Sequence, residues 1–209
     1  MANQKNNSNF FSNVSEITNQ YYKDRFYKYI NEKLDILDFG CGSGKLLSLI
    51  NCNYKIGVEN NKFSQKKLKK QNLNYTSRIE QIKKKFDTIF ALSVIDHLQN
   101  PSESLGKLKN KLKKNGYIII IIRHDNLKQD FSNSSYREHL YSWSLLSFNN
   151  LLNKIGLKVY EKGIIKITLP PKFMALKKIF GANFLLFISK IYFYINLRDK
   201  RLYFICKKK

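Results

Sequence analysis

The sequence predicts an α/β fold, a doubly wound sheet that is mostly parallel, with seven strands of which the last runs antiparallel. Three observations carry this expectation. Short apolar runs alternate with amphipathic stretches through most of the 209 residues, and such alternation builds a parallel sheet covered on both faces. The first run ends in a glycine cluster, Gly40-Cys41-Gly42-Ser43-Gly44. Farther along, Ile118 to Ile122 is five consecutive isoleucines, which suits a strand buried on both faces near the sheet centre.

In chain order, residues 1–15 form a polar Asn/Ser/Gln/Lys stretch expected to be flexible, and 16–209 are expected to form one domain, a size that supports one continuous core. Tyr22, Phe26, Tyr29 and Ile30 recur at helical spacing, predicting a helix over Tyr21–Ile30 against the sheet edge. Leu34–Phe39 predicts the first strand, and Leu46, Leu47, Leu49 and Ile50 the helix after the glycine turn. Strands follow at Tyr54–Glu59, Leu73–Thr76, Phe86–Leu92 and Tyr117–Arg123, with helices at 62–70 and Ser102–Leu112 between them. A helix at Trp143–Ile155 stops at Gly156, Leu157–Ile167 extends to the Pro170-Pro171 breaker, and residues 202–206 make the last strand. Between the last two strands a helical insertion is expected at about 172–198. Its longest uncharged run, Ile179–Ser189, has eleven residues, short of the roughly 18 to 20 that a membrane span needs.

Composition narrows the partners. The N-terminal residues lack the apolar run of a secretory signal, and three cysteines without paired spacing suit a reducing compartment, so a cytoplasmic protein without a metal site is expected. The net charge of +23 attracts polyanions without specificity. Only six of the 38 basic residues are Arg, the side chain that forks onto phosphates, and the lysines cluster where outer helix faces fall. Solvated faces account for them, and any nucleic-acid binding is expected to be non-specific.

The loop Asp38-Phe39-Gly40-Cys41-Gly42-Ser43-Gly44 lies between a strand and a helix, with Glu59 ending the next strand nineteen residues after Gly40. Glycines let backbone approach a ligand closely, and the N–H groups opening the helix favour an anionic group. An acid at the tip of the second strand can accept hydrogen bonds from ribose hydroxyls. A phosphate-binding P-loop is excluded, since Phe39 stands where its first glycine belongs and Leu46 replaces its hydroxyl residue. A dinucleotide fingerprint fails at Lys45, where a third glycine or alanine is required.

Leu37-Asp38-Phe39-Gly40-Cys41-Gly42-Ser43-Gly44 resembles the first motif of class I S-adenosylmethionine-dependent methyltransferases. Phe86-Asp87-Thr88-Ile89, Val94-Ile95-Asp96-His97-Leu98 with Asn100-Pro101, Leu112–Ile118 and His139–Ser144 resemble, in order, later segments of small bacterial members of that family. Asp96 stands where Glu is more usual, and Thr76-Ser77-Arg78-Ile79 offers no acid for an adenine amino group. The resemblance implies a Rossmann-like domain and S-adenosyl-L-methionine as cofactor. Its contacts would come from Asp38, on the methionine ammonium side, with Gly40, Cys41, Gly42, Gly44, Glu59, Asn60 and Ser93.

Methyl transfer is an in-line displacement that asks for positioning and, at a protonated acceptor, a base. His124 after the fifth strand and His139 before the next helix are the candidate bases, and His97 is a weaker one. Tyr141 and Trp143 fit either an acceptor wall or the core. Small methyltransferases of the resembling type often act on metabolite hydroxyls, so a small-molecule oxygen acceptor is expected by analogy. An RNA-directed methyltransferase, a basic nucleic-acid-binding protein and a non-catalytic cofactor-binding subunit are the alternatives. The aromatic stretch 173–197 is expected to wall the acceptor pocket, the alternative being peripheral contact with a membrane surface.

Overall fold

The computed structural model describes residues 18–124, 140–166, 184 and 200–209. Seven strands form one sheet: β1 Asp35–Phe39, β2 Tyr54–Val58, β3 Tyr75–Thr76, β4 Phe86–Leu92, β5 Leu112–Arg123, β6 Leu157–Lys166 and β7 Lys200–Lys208. Their order is β3-β2-β1-β4-β5-β7-β6. All pairs from β3 to β5 are parallel, whereas β7 runs antiparallel to both β5 and β6. The doubly wound, Rossmann-like α/β sheet with an antiparallel last strand is therefore present as read from the sequence.

The helices are α1 at 18–25, α2 Lys45–Leu49, α3 Lys62–Lys70, α4 Pro101–Lys111 and α5 Leu145–Ile155. Local chemistry sets their ends. The Asn61 side chain accepts the Phe63 and Ser64 amides at the start of α3, and Asn100 caps α4 with Pro101 in its first turn. Ser144 and Ser147 form a reciprocal cap that starts α5 at Leu145, two residues later than the spacing of apolar residues suggests, and Gly156 closes it in the left-handed region.

Alternation along the strands divides the core into two layers. Leu37, Ile89, Ile118, Ile120, Ile122, Leu202 and Phe204 face α4 and α5, meeting Leu105, Leu108, Phe148 and Leu152. Ile36, Phe90, Ile119, Ile121, Tyr203 and Ile205 face the other way, onto Tyr22 of α1 with Phe26 just after it, and Leu46 of α2 with Ile50 at its C-terminal end. The five isoleucines are all fully buried, as a strand with apolar neighbours on both faces requires.

One expectation changes. The first helix does not lie against the sheet edge: it ends at residue 25, gives way to a 3-10 turn at Tyr27–Tyr29, and packs across β1, β4, β5 and β7. Tyr22 and Phe26 are large enough to cover four strands, so burial is greatest over the sheet middle. The polar stretch 1–15 lies outside the described residues. So do His139 and the expected insertion at 172–198, apart from Phe184.

Candidate functional site: a cavity at the carboxyl edge of the sheet

The parallel strands β1, β2, β4 and β5 all end at one edge, where β1 passes into the glycine loop. Gly40, Gly42 and Gly44 have φ of 73, 55 and 77°, in the left-handed region that side chains disfavour. At Gly40 space is also lacking, because a Cβ would lie 2.7 Å from the Val94 Cβ. Gly57, on the neighbouring strand, leaves room for the Cys41 sulfur, with which any Cβ there would collide.

Glu59 follows β2 and fixes the loop from the side. Its Oε2 accepts the Gly42 amide at 2.8 Å, and its Oε1 accepts the Asn61 amide at 2.8 Å. A carboxylate has about four acceptor positions, so two backbone donors leave capacity for ribose hydroxyls. Asn60 is exposed beside it.

A cavity of about 300 Å³ opens between the loop and α1. Its floor is Asp38, Gly40, Cys41, Gly42 and Ser43, with Leu92 and Ser93 from the end of β4. Thr18, Asn19 and Tyr22 of α1, Lys45 and Arg201 complete the lining. Asp38 is 4 % exposed; burial first, and the Glu59 charge second, push its carboxyl up to about 7. Burial likewise pushes the Cys41 thiol well up, so it stays protonated near neutrality. Ser93 has a φ of 54°. Its amide donates to the Ile121 carbonyl at 2.8 Å, and its Oγ accepts Arg201 Nη1 at 2.9 Å.

The structure gathers Asp38, Gly40, Cys41, Gly42 and Ser93 around this cavity, while Gly44, Glu59 and Asn60 stand behind or beside it. His97 is exposed on a 3-10 turn, Ile95–His97, and His124 is half-buried past the end of β5, bridged to Trp143. Neither histidine lines the cavity. Asp96 is 1 % exposed, and its Oδ2 accepts the Arg123 amide at 2.9 Å, so its pairing is with Arg123 backbone. Trp143 sits between Tyr141, stacked at 5.4 Å, and the buried Phe148 at 5.1 Å, which joins it to the core.

Sequence reading missed Arg201, Tyr22 and Lys45 as site residues. A signal for Arg201 was present: a last strand that runs antiparallel must begin at the edge where the others end, so its opening residue lies beside the ligand edge.

Sheet order, loop and carboxyl-edge cavity define the class I methyltransferase architecture. A methyltransferase-domain family model matches residues 17–162, more than two thirds of the chain, and the chain belongs to that family. A ubiquinone biosynthesis O-methyltransferase of Rickettsia canadensis is 25 % identical over 178 residues, covering 73 % of this chain and 75 % of that protein. A ribosomal protein L11 methyltransferase of Thermosipho melanesiensis is 31 % identical over 104 residues, 44 % of this chain and 39 % of its own. Among solved structures, the plantazolicin methyltransferase BamL, bound to a desmethyl analogue and S-adenosylhomocysteine, superposes with a TM-score of 0.60. It is 18 % identical, and the match covers 100 % of this chain and 91 % of that one.

Proposed function

We propose that this enzyme transfers the methyl group of S-adenosylmethionine to a hydroxyl oxygen of a small-molecule acceptor. The observation that carries the cofactor half is the cavity itself. A buried acid, Asp38, lies at its floor, and Glu59, held by two amides, flanks the same loop, where it would meet the ribose. When bound, the cofactor supplies an electrophilic methyl on a sulfonium. The chain's own groups hold the nucleoside through Glu59 and the Gly40–Gly44 backbone, and Asp38 faces the methionine ammonium.

Support for an oxygen acceptor comes from the Rickettsia relative, which covers most of both chains; the ribosomal-protein methyltransferase aligns over less than half of each. The acceptor enters at the carboxyl edge beyond Ser93, where His124 is the candidate base. Register places Ile121 opposite Leu92, so His124 follows three residues past that pair at the same edge. There it would take the hydroxyl proton as the oxygen attacks.

Turnover tests the reading directly. The purified protein, given S-adenosylmethionine and a panel of phenolic, sugar and amine acceptors, should release S-adenosylhomocysteine with hydroxyl compounds. A variant His124→Gln should lower kcat by roughly 10²-fold or more, with cofactor affinity unchanged. Turnover confined to amines, or to a protein substrate, would replace the oxygen acceptor.

A further inference from the structure

Arg201 stands in an unusual position for a cavity arginine. It belongs to β7, pairs across the sheet with Arg123, and reaches the cavity lined by Asp38. Its Nη1 donates to Tyr22 Oη at 2.8 Å and to Ser93 Oγ at 2.9 Å. Both are neutral oxygens, and both hydrogen bonds leave from one nitrogen of a guanidinium that carries five N–H donors. Arg25, by contrast, is 3.6 Å from the Glu161 carboxylate, and its Nη2 donates to Tyr203 Oη. The two neutral partners hold the Arg201 fork in place, and the buried Asp96 carboxyl, which is not hydrogen-bonded to it, is near enough to feel its charge.

The same cavity therefore presents an acid, Asp38, and a cation, Arg201, at separate points of its lining. An α-amino acid carries an ammonium and a carboxylate on one carbon, and this pair of opposite charges is complementary to it. The competing anion receptor would be the start of α2, but that helix has only five residues and opens from Gly44 in the left-handed region without a side-chain cap. Lys45, also on the lining, offers a point charge on a flexible stem rather than a planar fork.

We propose that Arg201 binds the carboxylate of the cofactor's methionine end, and that α1 and β4 orient it through Tyr22 and Ser93. This rests on the cofactor reading above. Arg201 then selects nucleosides bearing an intact amino acid and rejects decarboxylated ones.

The experiment is a matrix of affinities by calorimetry. S-adenosylhomocysteine, its decarboxylated analogue and 5′-methylthioadenosine are each titrated into the wild-type protein, Arg201→Gln and Arg201→Lys. The wild type should prefer S-adenosylhomocysteine to the decarboxylated analogue by roughly 10- to 100-fold, the range for hydrogen bonds to a charged group. Arg201→Gln should erase that preference and leave methylthioadenosine within about twofold, with Arg201→Lys intermediate. Equal wild-type affinity for the first two ligands overturns the proposal whether or not the variants fold. So does an Arg201→Gln variant that loses all three ligands alike, or one that keeps the preference. Failure of the wild type to bind any of the three would instead overturn the cofactor reading on which the proposal stands.

Discussion

Asp38 shows how a single buried carboxyl couples folding to ligand binding. The unfolded chain releases this proton near pH 4, whereas the folded protein holds it to about 7 because burial and Glu59 disfavour the charge. Between these values the folded state binds more protons, so this group's contribution to stability is fully present below about pH 4 and is lost as pH rises through about 7. An ammonium placed beside Asp38 acts in the opposite direction and stabilises the anion. Cofactor binding should therefore release close to one proton on the acid side of 7, and affinity should rise with pH and level off above it. Titrations in buffers of different ionisation enthalpy measure both quantities. Glu59→Ala should weaken cofactor binding by roughly 1.5 to 3 kcal/mol, read by calorimetry, since it removes the proposed ribose acceptor and also frees the Gly42 amide. The loop and its acids were legible in the sequence because glycine spacing and a strand-end acid are local patterns. The lining from Tyr22 and Arg201 was not, because 179 positions separate two residues that share a hydrogen bond.

At the scale of single elements, lysines do work that composition alone concealed. Lys55 Nζ donates to the carbonyls of Leu47 and Ile50 at 2.7 Å each, closing the C-terminal end of α2. Lys109 reaches from α4 to the Ile155 carbonyl at 2.7 Å, the last residue of α5. These are the orphan carbonyls of a helix end, where a cation also meets the negative pole of the helix dipole. Lys109→Ala should cost about 1 kcal/mol, measurable as a shift in denaturant midpoint at constant slope, with methyl transfer intact. The positions of β1, β2 and β4 were read well because these are short apolar runs bounded by turns, whereas β5 was read only from Tyr117, since Lys113-Lys114-Asn115-Gly116 hides its first residues. The first helix was misplaced for a physical reason: periodicity reports which face is apolar, and says nothing about which strands that face will cover.

For the whole molecule, part of the charge of +23 is taken up by such caps, ion pairs and ring contacts. Lys113 bridges Asp35 and Asp87 at 2.9 and 2.7 Å, and Lys207 lies 4.4 Å from the Tyr117 ring centre. Binding to RNA or DNA should accordingly fall steeply between low and physiological salt, as counterion release requires; filter binding across a salt series checks this, and salt-insensitive, sequence-selective binding would contradict it. Among the described residues no helix is long and apolar enough to cross a membrane. The strand order carries one more consequence. β7 lies between β5 and β6, and Leu202 through Cys206 are all buried, 6 % exposed at most. A ribosome delivers β5 and β6 well before β7, so during synthesis β5 waits with an unpaired apolar border and β6 has nothing to join. Closure of the sheet is postponed until β7 has cleared the exit tunnel, and the arrival of that strand also delivers Arg201 to the cavity. A nascent chain stalled before residue 200 should therefore be protease-sensitive and unable to retain the cofactor.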